Sequence, residues 1–409
     1  MGGYLTRPLG FHWGSRASRH LPEQTALDRK YDYDGEVLIV GAGAAGLAAA
    51  RVLQENRVRY TILEATDRYG GRLKADASLA DFPVDLGAEW IHNNPGILDV
   101  LSGAPPEGVA AGQPELVPYH LEETCSWNGR RLNNNSALFN HAVYWFFPEF
   151  KFKRSTWYDF VHRAFAAEDV QQRIRFGSPV AEVDYRSGDR VRVTTANGEC
   201  FVADKVLVTA SIGVLQSGSI AFVPDLGDRK KAAIASVQFL PGFKLLLKFT
   251  EKFYPDAIEV KGGADGVKGF YDAAFKKDAR DNVLGFLVTG AATERYYAFK
   301  SEVEIVAAVL AELEAIYGDT ARRAYTGQYR LMDWGRQPFT QGTWVEGFRI
   351  DWATLIEINA PLEHEGEHKV HFAGEAHDVN RQLGVPGAIL SGLNAVDQML
   401  RPRVRSLGV

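Results

Sequence analysis

The chain has few of the residues that could give it a covalent framework. Its 409 residues include two cysteines, Cys125 and Cys200. Two cysteines cannot build a disulfide framework, and reduced thiols in a cytosolic setting are the expectation. We therefore predict a cytoplasmic protein that is held together by a hydrophobic core, which a chain of this length can bury.

The sequence also lacks an excess of one charge. It carries 46 Lys and Arg against 51 Asp and Glu, a formal net charge of −5. Such a balance creates no strong field for polyanions, so no nucleic-acid partner is expected. With 46% hydrophobic and 24% charged residues, the composition is that of a globular protein. It excludes a disordered chain, a coiled coil and a collagen-like fibre.

Long apolar runs are missing as well. The longest apolar stretch, residues 37–53, is interrupted by three glycines and ends in charge, which excludes a membrane span. Residues 1–34 carry Arg7, Arg16 and Arg19 and no apolar region, so we predict no secretory signal there. We expect this N-terminal arm to lie over the body of the protein or to be partly disordered.

A strand–helix–strand unit follows the arm. The apolar run 36–40 predicts a strand, 47–55 is rich in strong helix formers, and 59–63 predicts a second strand. A glycine-rich turn, residues 41–46, joins the first strand to the helix. This order and length are typical of a βαβ unit.

The glycine-rich turn carries a dinucleotide signature. Gly41 permits a tight turn, Gly43 lets the backbone approach a pyrophosphate, and Gly46 lets helix and strand pack closely. The helix N-terminus then offers free N–H groups to the phosphates. Glu64 lies about 20 residues further on, where a carboxylate accepts hydrogen bonds from ribose hydroxyls.

A second glycine loop favours FAD over NAD. Gly70, Gly71 and Arg72 follow Glu64 closely. An NAD site needs no such loop, whereas in an FAD site Arg72 can neutralise the pyrophosphate and the glycines allow close approach.

These and four further segments resemble the flavin-dependent amine oxidases, the group that contains monoamine and polyamine oxidases. The matching segments are GAGAAG (41–46), LEATDRYGGRL (63–73), DLGAEWIH (85–92), FKLLLKF (243–249), FAGEA (372–376) and GVPGAILSG (384–392). The resemblance covers nearly the whole chain beyond residue 35. It implies FAD, a two-domain fold and oxidation of a carbon–nitrogen bond.

The fold that the resemblance implies is of the α/β class. It consists of a Rossmann-type (GR2-like) FAD-binding domain interleaved with an α+β substrate-binding domain. We expect residues 35–92, 171–235 and 366–404 in the first domain and residues 93–170 and 236–365 in the second.

The resemblance also implies the residues around FAD. It places Arg72 on the pyrophosphate, Val180 on the adenine, and Val385 with Ala388 at a helix N-terminus facing the flavin. Gly374 and Glu375 contact the region between. The implied cofactor-binding set is Gly41, Gly43, Ala45, Gly46, Glu64, Ala65, Gly71, Arg72, Leu73, Gly87, Ala88, Glu89, Trp90, Val180, Gly374, Glu375, Val385 and Ala388.

Three residues are implied to be catalytic. The alternation in 243–249 by itself favours two lysines, Lys244 and Lys248, on a solvated face. The resemblance instead places Lys244 beside flavin N5, where it holds a water, and leaves Lys248 on the surface. Trp344 forms one wall of the substrate site, and His92 contacts the amine. The alternative for His92 is a structural histidine bonded to backbone.

Two positions depart from the family pattern. Thr343 stands where some members attach FAD through a cysteine, so noncovalent FAD is expected. Gly384 stands where monoamine oxidases keep the second aromatic wall. The zinc-like pattern from His364 to His368 is expected to be a polar loop because Pro361 and Gly366 oppose a helix, so no metal site is predicted.

The implied function is oxidation of a primary or secondary amine, of polyamine or monoamine type. A hydride passes from the substrate to flavin N5, the imine is hydrolysed, and O2 reoxidises the flavin and yields H2O2. An L-amino-acid oxidase, a flavin dehydrogenase with another acceptor, and a non-catalytic flavin-binding scaffold stay open. The sequence leaves the amine and the oligomeric state open.

Overall fold

The computed structural model describes residues 24–92, 95–102, 115–136, 140, 148–186, 188–261, 266–346, 350–378 and 384–401. The strands are β1 Glu36–Val40, β2 Arg59–Leu63, β3 Ala75–Asp76, β4 Val84–Asp85, β5 Ile91–His92, β6 Leu116–Pro118, β7 Thr124–Trp127, β8 Leu132–Asn134, β9 Glu149–Phe152, β10 Ile174–Arg175, β11 Val180–Asp184, β12 Val191–Thr195, β13 Cys200–Ala203, β14 Lys205–Val208, β15 Ala221–Val223, β16 Gly242–Phe249, β17 Ala257–Val260, β18 Lys268–Asp272, β19 Asn282–Thr289, β20 Tyr325–Asp333, β21 Leu362–His364 and β22 Glu367–Phe372.

The α-helices within these ranges are α1 Ala44–Glu55, α2 Ile97–Ser102, α3 Trp157–Phe165, α4 Glu168–Gln171, α5 Ile212–Gln216, α6 Asp228–Ser236, α7 Glu294–Tyr297, α8 Glu302–Tyr317, α9 Asp319–Ala324, α10 Trp352–Asn359 and α11 Val385–Leu400. Short 3-10 helices cover Ala26–Asp28, Gly290–Thr293 and Glu375–His377. In the described part of the chain, no helix is both long and apolar enough to cross a membrane.

A six-stranded sheet carries the predicted βαβ unit. Its order is β10-β2-β1-β14-β22-β21, and all neighbours are parallel except the β22–β21 pair. The strands predicted at 36–40 and 59–63 are confirmed with those bounds. Helices α1 and α11 pack together over the sheet so closely that a Cβ on Gly392 would lie 2.2 Å from the Ala45 carbonyl oxygen.

α1 begins three residues before the run of helix formers at 47–55, and α11 begins at Val385, which the resemblance places at a helix N-terminus. α1 starts at Ala44 with Gly43 as N-cap, and α11 starts at Val385 with Gly384 as N-cap. Pro386 lies in the first turn of α11, where a missing N–H costs no helical hydrogen bond. Both N-termini lie at the carboxyl ends of parallel strands, where ligands bind in open α/β sheets.

A seven-stranded sheet, β20-β16-β19-β18-β17-β7-β8, forms the second layer. Its strand β16 is buried on both faces, because α8 covers Phe243 and Leu245 while the segment 79–86 covers Leu246. The prediction that Lys244 lies on a solvated face, made from alternation alone, is therefore wrong. Lys248 is half-buried and pairs with Asp281 at 2.7 Å.

Three smaller sheets complete the described structure: β13-β12-β11-β15, β3-β4 and β5-β9-β6. The sheet β5-β9-β6 places β9 beside His92 and so brings a distant part of the chain to the segment 85–92. The predicted domain limits stay a prediction. β21 pairs with β22 in the first sheet, although its residues 362–364 fall in the range expected for the substrate-binding domain.

The zinc-like pattern forms a β-hairpin, in which His364 faces Glu367 and Glu363 faces His368 across the strands. The helix that a zinc site would need is absent there. In the predicted N-terminal arm, Arg29 and Tyr31 both bond Asp397 of α11 at 2.6 Å, so the described end of the arm lies on the body. Residues 1–23 of the arm lie outside the described residues.

Candidate active site

The turn between β1 and α1 is shaped by its glycines. Gly41 has a φ of +103°, which favours glycine, and a Cβ on Gly46 would lie 2.0 Å from the Gly41 carbonyl oxygen. A Cβ on Gly43, by contrast, would meet no atom within 4 Å. Gly43 therefore lies at an open helix N-terminus, where a phosphate group can approach the backbone.

Glu64 closes β2 beside this turn. Its carboxylate is buried and accepts hydrogen bonds from the backbone N–H of Ala42 at 2.8 Å and of Thr66 at 3.0 Å. These two bonds fix the side chain against the turn. A carboxylate has about four acceptor positions, so Glu64 keeps capacity for ribose hydroxyls.

Arg72 is held by residues from the other end of the chain. Its Nη1 donates to the Thr343 carbonyl at 2.7 Å and to Glu375 Oε2 at 3.2 Å. Glu375 Oε1 in turn accepts from the Val345 backbone N–H at 2.9 Å. The guanidinium thus stands fixed between three segments, as a residue that binds a pyrophosphate must.

A cleft of about 430 Å³, here the central cleft, runs from the N-terminus of α1 to that of α11. The predicted site residues that line it are Gly43, Ala45, Glu64, Gly71, Arg72, Leu73, Gly87, Ala88, Glu89, Trp90, His92, Lys244, Trp344, Gly374, Glu375, Val385 and Ala388. Gly41, Gly46, Ala65 and Val180 do not line it. The two glycines shape the turn behind it. Ser178, two residues before Val180, donates to the Glu64 carbonyl at 2.9 Å.

These residues fit FAD on two structural observations. The open position at Gly43 leaves room for a phosphate at a helix N-terminus. At the other end, the buried indole Nε1 of Trp90 has no hydrogen-bond partner among the described residues. A buried donor of this kind costs free energy unless a ligand accepts from it. Both groups line the same cleft, which suits one elongated ligand.

Lys244 is fixed at the inner wall of the central cleft. Its Nζ donates to the carbonyls of Asp85 at 3.0 Å and Gly87 at 2.8 Å, and to Glu89 Oε2 at 2.9 Å. Three acceptors match the three N–H bonds of an ammonium group. The side chain is buried, and its ammonium lies 5.2 Å from the ring centroid of Trp90.

Glu89 joins Lys244 to a second buried lysine. Glu89 Oε1 pairs with Lys151 Nζ at 2.5 Å, and Oε2 also accepts from the Tyr271 hydroxyl at 2.7 Å. Burial alone would raise the pKa of Glu89, but the two ammonium groups outweigh it and hold that pKa well below its usual range. Burial and the Glu89 charge raise the pKa of Asp85 to about 7.

His92 is hydrogen-bonded to Glu149 at the cleft wall. Its Nδ1 lies 2.7 Å from Glu149 Oε2, and the two residues are register partners of β5 and β9. Burial alone would lower the pKa of His92, but the neighbouring carboxylate outweighs it and raises that pKa. Burial raises the pKa of Glu149. The alternative of a histidine bonded to backbone does not describe this Nδ1.

Trp344 and Gly384 both line the central cleft. Thr343 also lines the cleft, and its hydroxyl donates to the Leu240 carbonyl at 2.7 Å. The second aromatic wall is thus a glycine here. Trp157 is fully buried, and its indole N–H donates to the Trp90 carbonyl at 3.0 Å.

Sequence reasoning missed Glu149 and Lys151 and did not foresee the pairing of Glu89. The one local signal is that Glu149 and Lys151 alternate with Phe150 and Phe152 in a strand-like run, and both are buried. Two opposite charges that point to the same face of a short aromatic strand need partners inside the protein. Which partners they meet depends on the tertiary fold.

The family model described as flavin containing amine oxidoreductase matches residues 44–107 and 124–400, more than half of the chain. The chain belongs to this family. Its members use FAD, and this amine oxidoreductase is accordingly an FAD-dependent oxidoreductase that acts on CH–NH or CH–NH2 groups of amines.

Relatives of this amine oxidoreductase include polyamine oxidases and histone demethylases. It is 25% identical to a probable polyamine oxidase 4 from Arabidopsis thaliana, over 95% of this chain and 92% of the relative. It is 25% identical to the lysine-specific histone demethylase 1B from Mus musculus, over 90% of this chain and 53% of the relative. The chain thus spans about half the length of that demethylase.

Solved structures show the same fold. A wild-type putrescine oxidase bound to putrescine matches with a TM-score of 0.69 and 15% identity, over 91% of this chain and 99% of that one. Cyclohexylamine oxidase from Brevibacterium oxydans matches with a TM-score of 0.69 and 16% identity, over 90% of this chain and 99% of the other. The α/β fold with an FAD-binding Rossmann-type layer is therefore confirmed.

Proposed function

We propose that this protein is an oxidase of primary or secondary amines, of polyamine or monoamine type, with noncovalently bound FAD. The carrying observation is the central cleft, in which a dinucleotide-binding turn, the buried Lys244 and the His92–Glu149 pair line one space. Bound FAD supplies the acceptor for a hydride from the carbon beside nitrogen, and O2 then reoxidises it and yields H2O2.

The chain's own groups prepare the amine for this reaction. Amines arrive in water mostly as ammonium ions, and only the neutral amine releases hydride readily. His92, which lines the cleft and has its Nδ1 on Glu149, accepts that proton on its imidazole. Glu149 stabilises the imidazolium that results.

The walls of the cleft position the substrate. Trp344 offers a flat face, and Gly384, which also lines the cleft, leaves space that an aromatic side chain would fill. We propose that Lys244 provides a fixed positive charge at the inner wall. We further propose that Gly43, Glu64 and Arg72 hold the ADP part of FAD, and that the backbone at Gly374 and Val385 holds the flavin end.

The test is anaerobic reduction. The FAD-loaded protein is mixed, without oxygen, with polyamines, aromatic and alicyclic monoamines and L-amino acids, and the loss of flavin absorbance is followed. Bleaching by one amine class supports the proposal, and admitting air separates an oxidase, which recolours with H2O2 formation, from a dehydrogenase. Bleaching by amino acids alone, or by nothing, contradicts it and favours an amino-acid oxidase or a silent scaffold.

A further inference from the structure

The central cleft is backed by more charge than the proposed reaction uses. Lys244 belongs to a charge cluster that consists of the buried residues Asp85, Glu89, Lys151, Lys244 and Tyr271 and the half-buried Lys277. Only Lys244 and Glu89 of these line the cleft. Burying ions is costly unless they are paired, so such a cluster needs a reason.

The Glu89 carboxylate lies at the centre of the cluster. Glu89 lies between two ammonium groups, Lys244 at 2.9 Å and Lys151 at 2.5 Å. Lys151 is 1% exposed and lies 5.1 Å from the ring centroid of Tyr119. With both lysines charged, this triad carries one net positive charge inside the protein.

The position of Lys244 depends on Glu89 in a direct way. The other two acceptors of its ammonium are backbone carbonyls, which belong to Asp85 and Gly87. Glu89 supplies the only formal negative charge among the three. Without it, two ammonium groups would share a dry site, which disfavours the charged form of each.

We propose that Glu89 is a positioning residue that keeps Lys244 charged and holds its ammonium group against the segment 85–89. We further propose that Lys151 sets the charge balance of the triad formed by Glu89, Lys151 and Lys244. Removing the Glu89 charge makes Lys244 lose its proton at lower pH. Removing Lys151 leaves Glu89 to Lys244 alone and holds the Lys244 proton to higher pH. Removing both restores one positive charge and returns the behaviour towards that of the native protein.

Other groups face the triad and belong to the same titration. They are Asp85 and Lys277 with their own perturbed pKa values, the Tyr271 hydroxyl on Glu89, and Tyr119 beside Lys151. Burial and the Lys151 charge lower the pKa of Lys277 to about 8. All of them are left in place in every variant. Because the Glu89 charge raises the pKa of Asp85 and the Lys151 charge lowers that of Lys277, each profile reports the response of the whole cluster, and Lys244→Met isolates the part that Lys244 carries.

The experiment uses sulfite as a probe that needs no amine. Sulfite adds reversibly to flavin and brings a negative charge, which a nearby cation stabilises, and the adduct is colourless. Its dissociation constant is measured from pH 6 to 10, roughly the range of a perturbed lysine, for Glu89→Gln, Lys151→Met and the double variant. The ratio to native protein at each pH cancels the protonation of sulfite itself. Lys248→Met, on the same strand as Lys244, is the matched control.

For Glu89→Gln we expect the pH above which sulfite binding weakens to fall by about one to three units, the range in which one opposite charge shifts a titration. For Lys151→Met we expect the pH above which sulfite binding weakens to rise. For the double variant we expect that pH to return towards the native value. Lys244→Met should bind sulfite weakly and without this pH dependence. An unchanged profile in both single variants, or a double variant worse than Glu89→Gln, overturns the inference.

A purely structural role would make the double variant the least stable and the weakest binder. Loss of FAD or a low thermal midpoint identifies a variant that fails to fold. If Glu89→Gln fails in this way, Lys151→Met still tests the inference, because the pH above which its sulfite binding weakens is expected to rise rather than fall. The inference rests on the proposed position of the flavin, yet it can fail independently of the proposed function. Amine turnover with flat sulfite profiles refutes only the inference, and the expected profiles without amine turnover refute only the proposed function.

Discussion

The two ends of the central cleft are built in different ways. At the end near α1, one continuous segment from Glu36 to Arg72 supplies the turn, the helix N-terminus and the acidic residue. At the end near Trp344, the chemically active groups come from separate strands and loops and meet only in the fold. The first end is backbone geometry, and the second is charge placement.

This difference has a physical basis. A pyrophosphate is bound by N–H groups and by the absence of side chains, which a short run of glycines specifies locally. A buried cation needs counter-charges from all sides, and these cannot come from one segment. Substitutions at the first end should therefore act on FAD affinity, and those at the second on rate and pH dependence.

The sharpest test of the first end is Gly43→Asp. A Cβ there meets no protein atom within 4 Å, so the fold should persist while the carboxylate occupies the phosphate position. Like-charge contact costs several kcal/mol, and about 4 kcal/mol is roughly a thousandfold in the Kd for FAD.

Flavin fluorescence titration measures this Kd. Gly227→Asp is the matched control, because Gly227 is also a helix N-cap with no atom within 4 Å of its Cβ position. A Gly43→Asp protein that binds FAD as well as the control does would show that the phosphates lie elsewhere.

Lys244→Met tests the other end. Loss of a fixed charge at a reacting site costs about 10²–10³ in rate, so we expect flavin reduction or reoxidation to slow by that order while FAD stays bound. Stopped-flow absorbance separates the two half-reactions. Lys248→Met, which loses only its pair with Asp281, should keep native rates. Equal rates in both variants would remove Lys244 from the proposed chemistry.

Glu149→Gln tests the proton acceptor. The Glu149 carboxylate raises the pKa of His92, so its removal lowers that pKa. If neutral imidazole accepts the ammonium proton, the acid limb of kcat/KM moves to lower pH, and the rate falls about tenfold or more, since acid–base groups contribute about 10²–10⁴. A pH–rate series with the best amine of the panel measures both. An acid limb that stays in place or moves upward contradicts this role.

The smallest expected effect belongs to Ser391→Ala, which asks how strictly the flavin end depends on backbone placement. The Ser391 hydroxyl accepts from the Gly374 N–H, and its single proton lies within reach of the carbonyls of Gly374 and Ala388. Losing one such bond costs about 1 kcal/mol, so FAD affinity should fall about fivefold. Ser236→Ala, which removes a distant helix-end hydroxyl, is the control. A loss as large as that for Gly43→Asp would contradict the division between the two ends.

The first sheet and its ligand turn could be predicted because their signals are local. β1 and β2 have the predicted bounds, and the early start of α1 follows from its N-cap Gly43, which a run of helix formers does not reveal. The side-chain alternation of β16 wrongly predicted a solvated position for Lys244. Alternation indicates a solvent-exposed face only when one side of the sheet is open to water, and both faces of this strand are covered. The hairpin at 362–372 was predicted only as a loop before a strand.

The sequence by itself determined the dinucleotide turn, the choice of FAD and the family, since glycine spacing and short motifs act over a few residues. Tertiary structure alone decided that Lys244 is dry and that Glu89 lies between two lysines. It also decided that His92 meets Glu149. Those contacts join residues far apart in the chain. Their free energies depend on burial and on distance between charges, and neither quantity exists until the chain has folded.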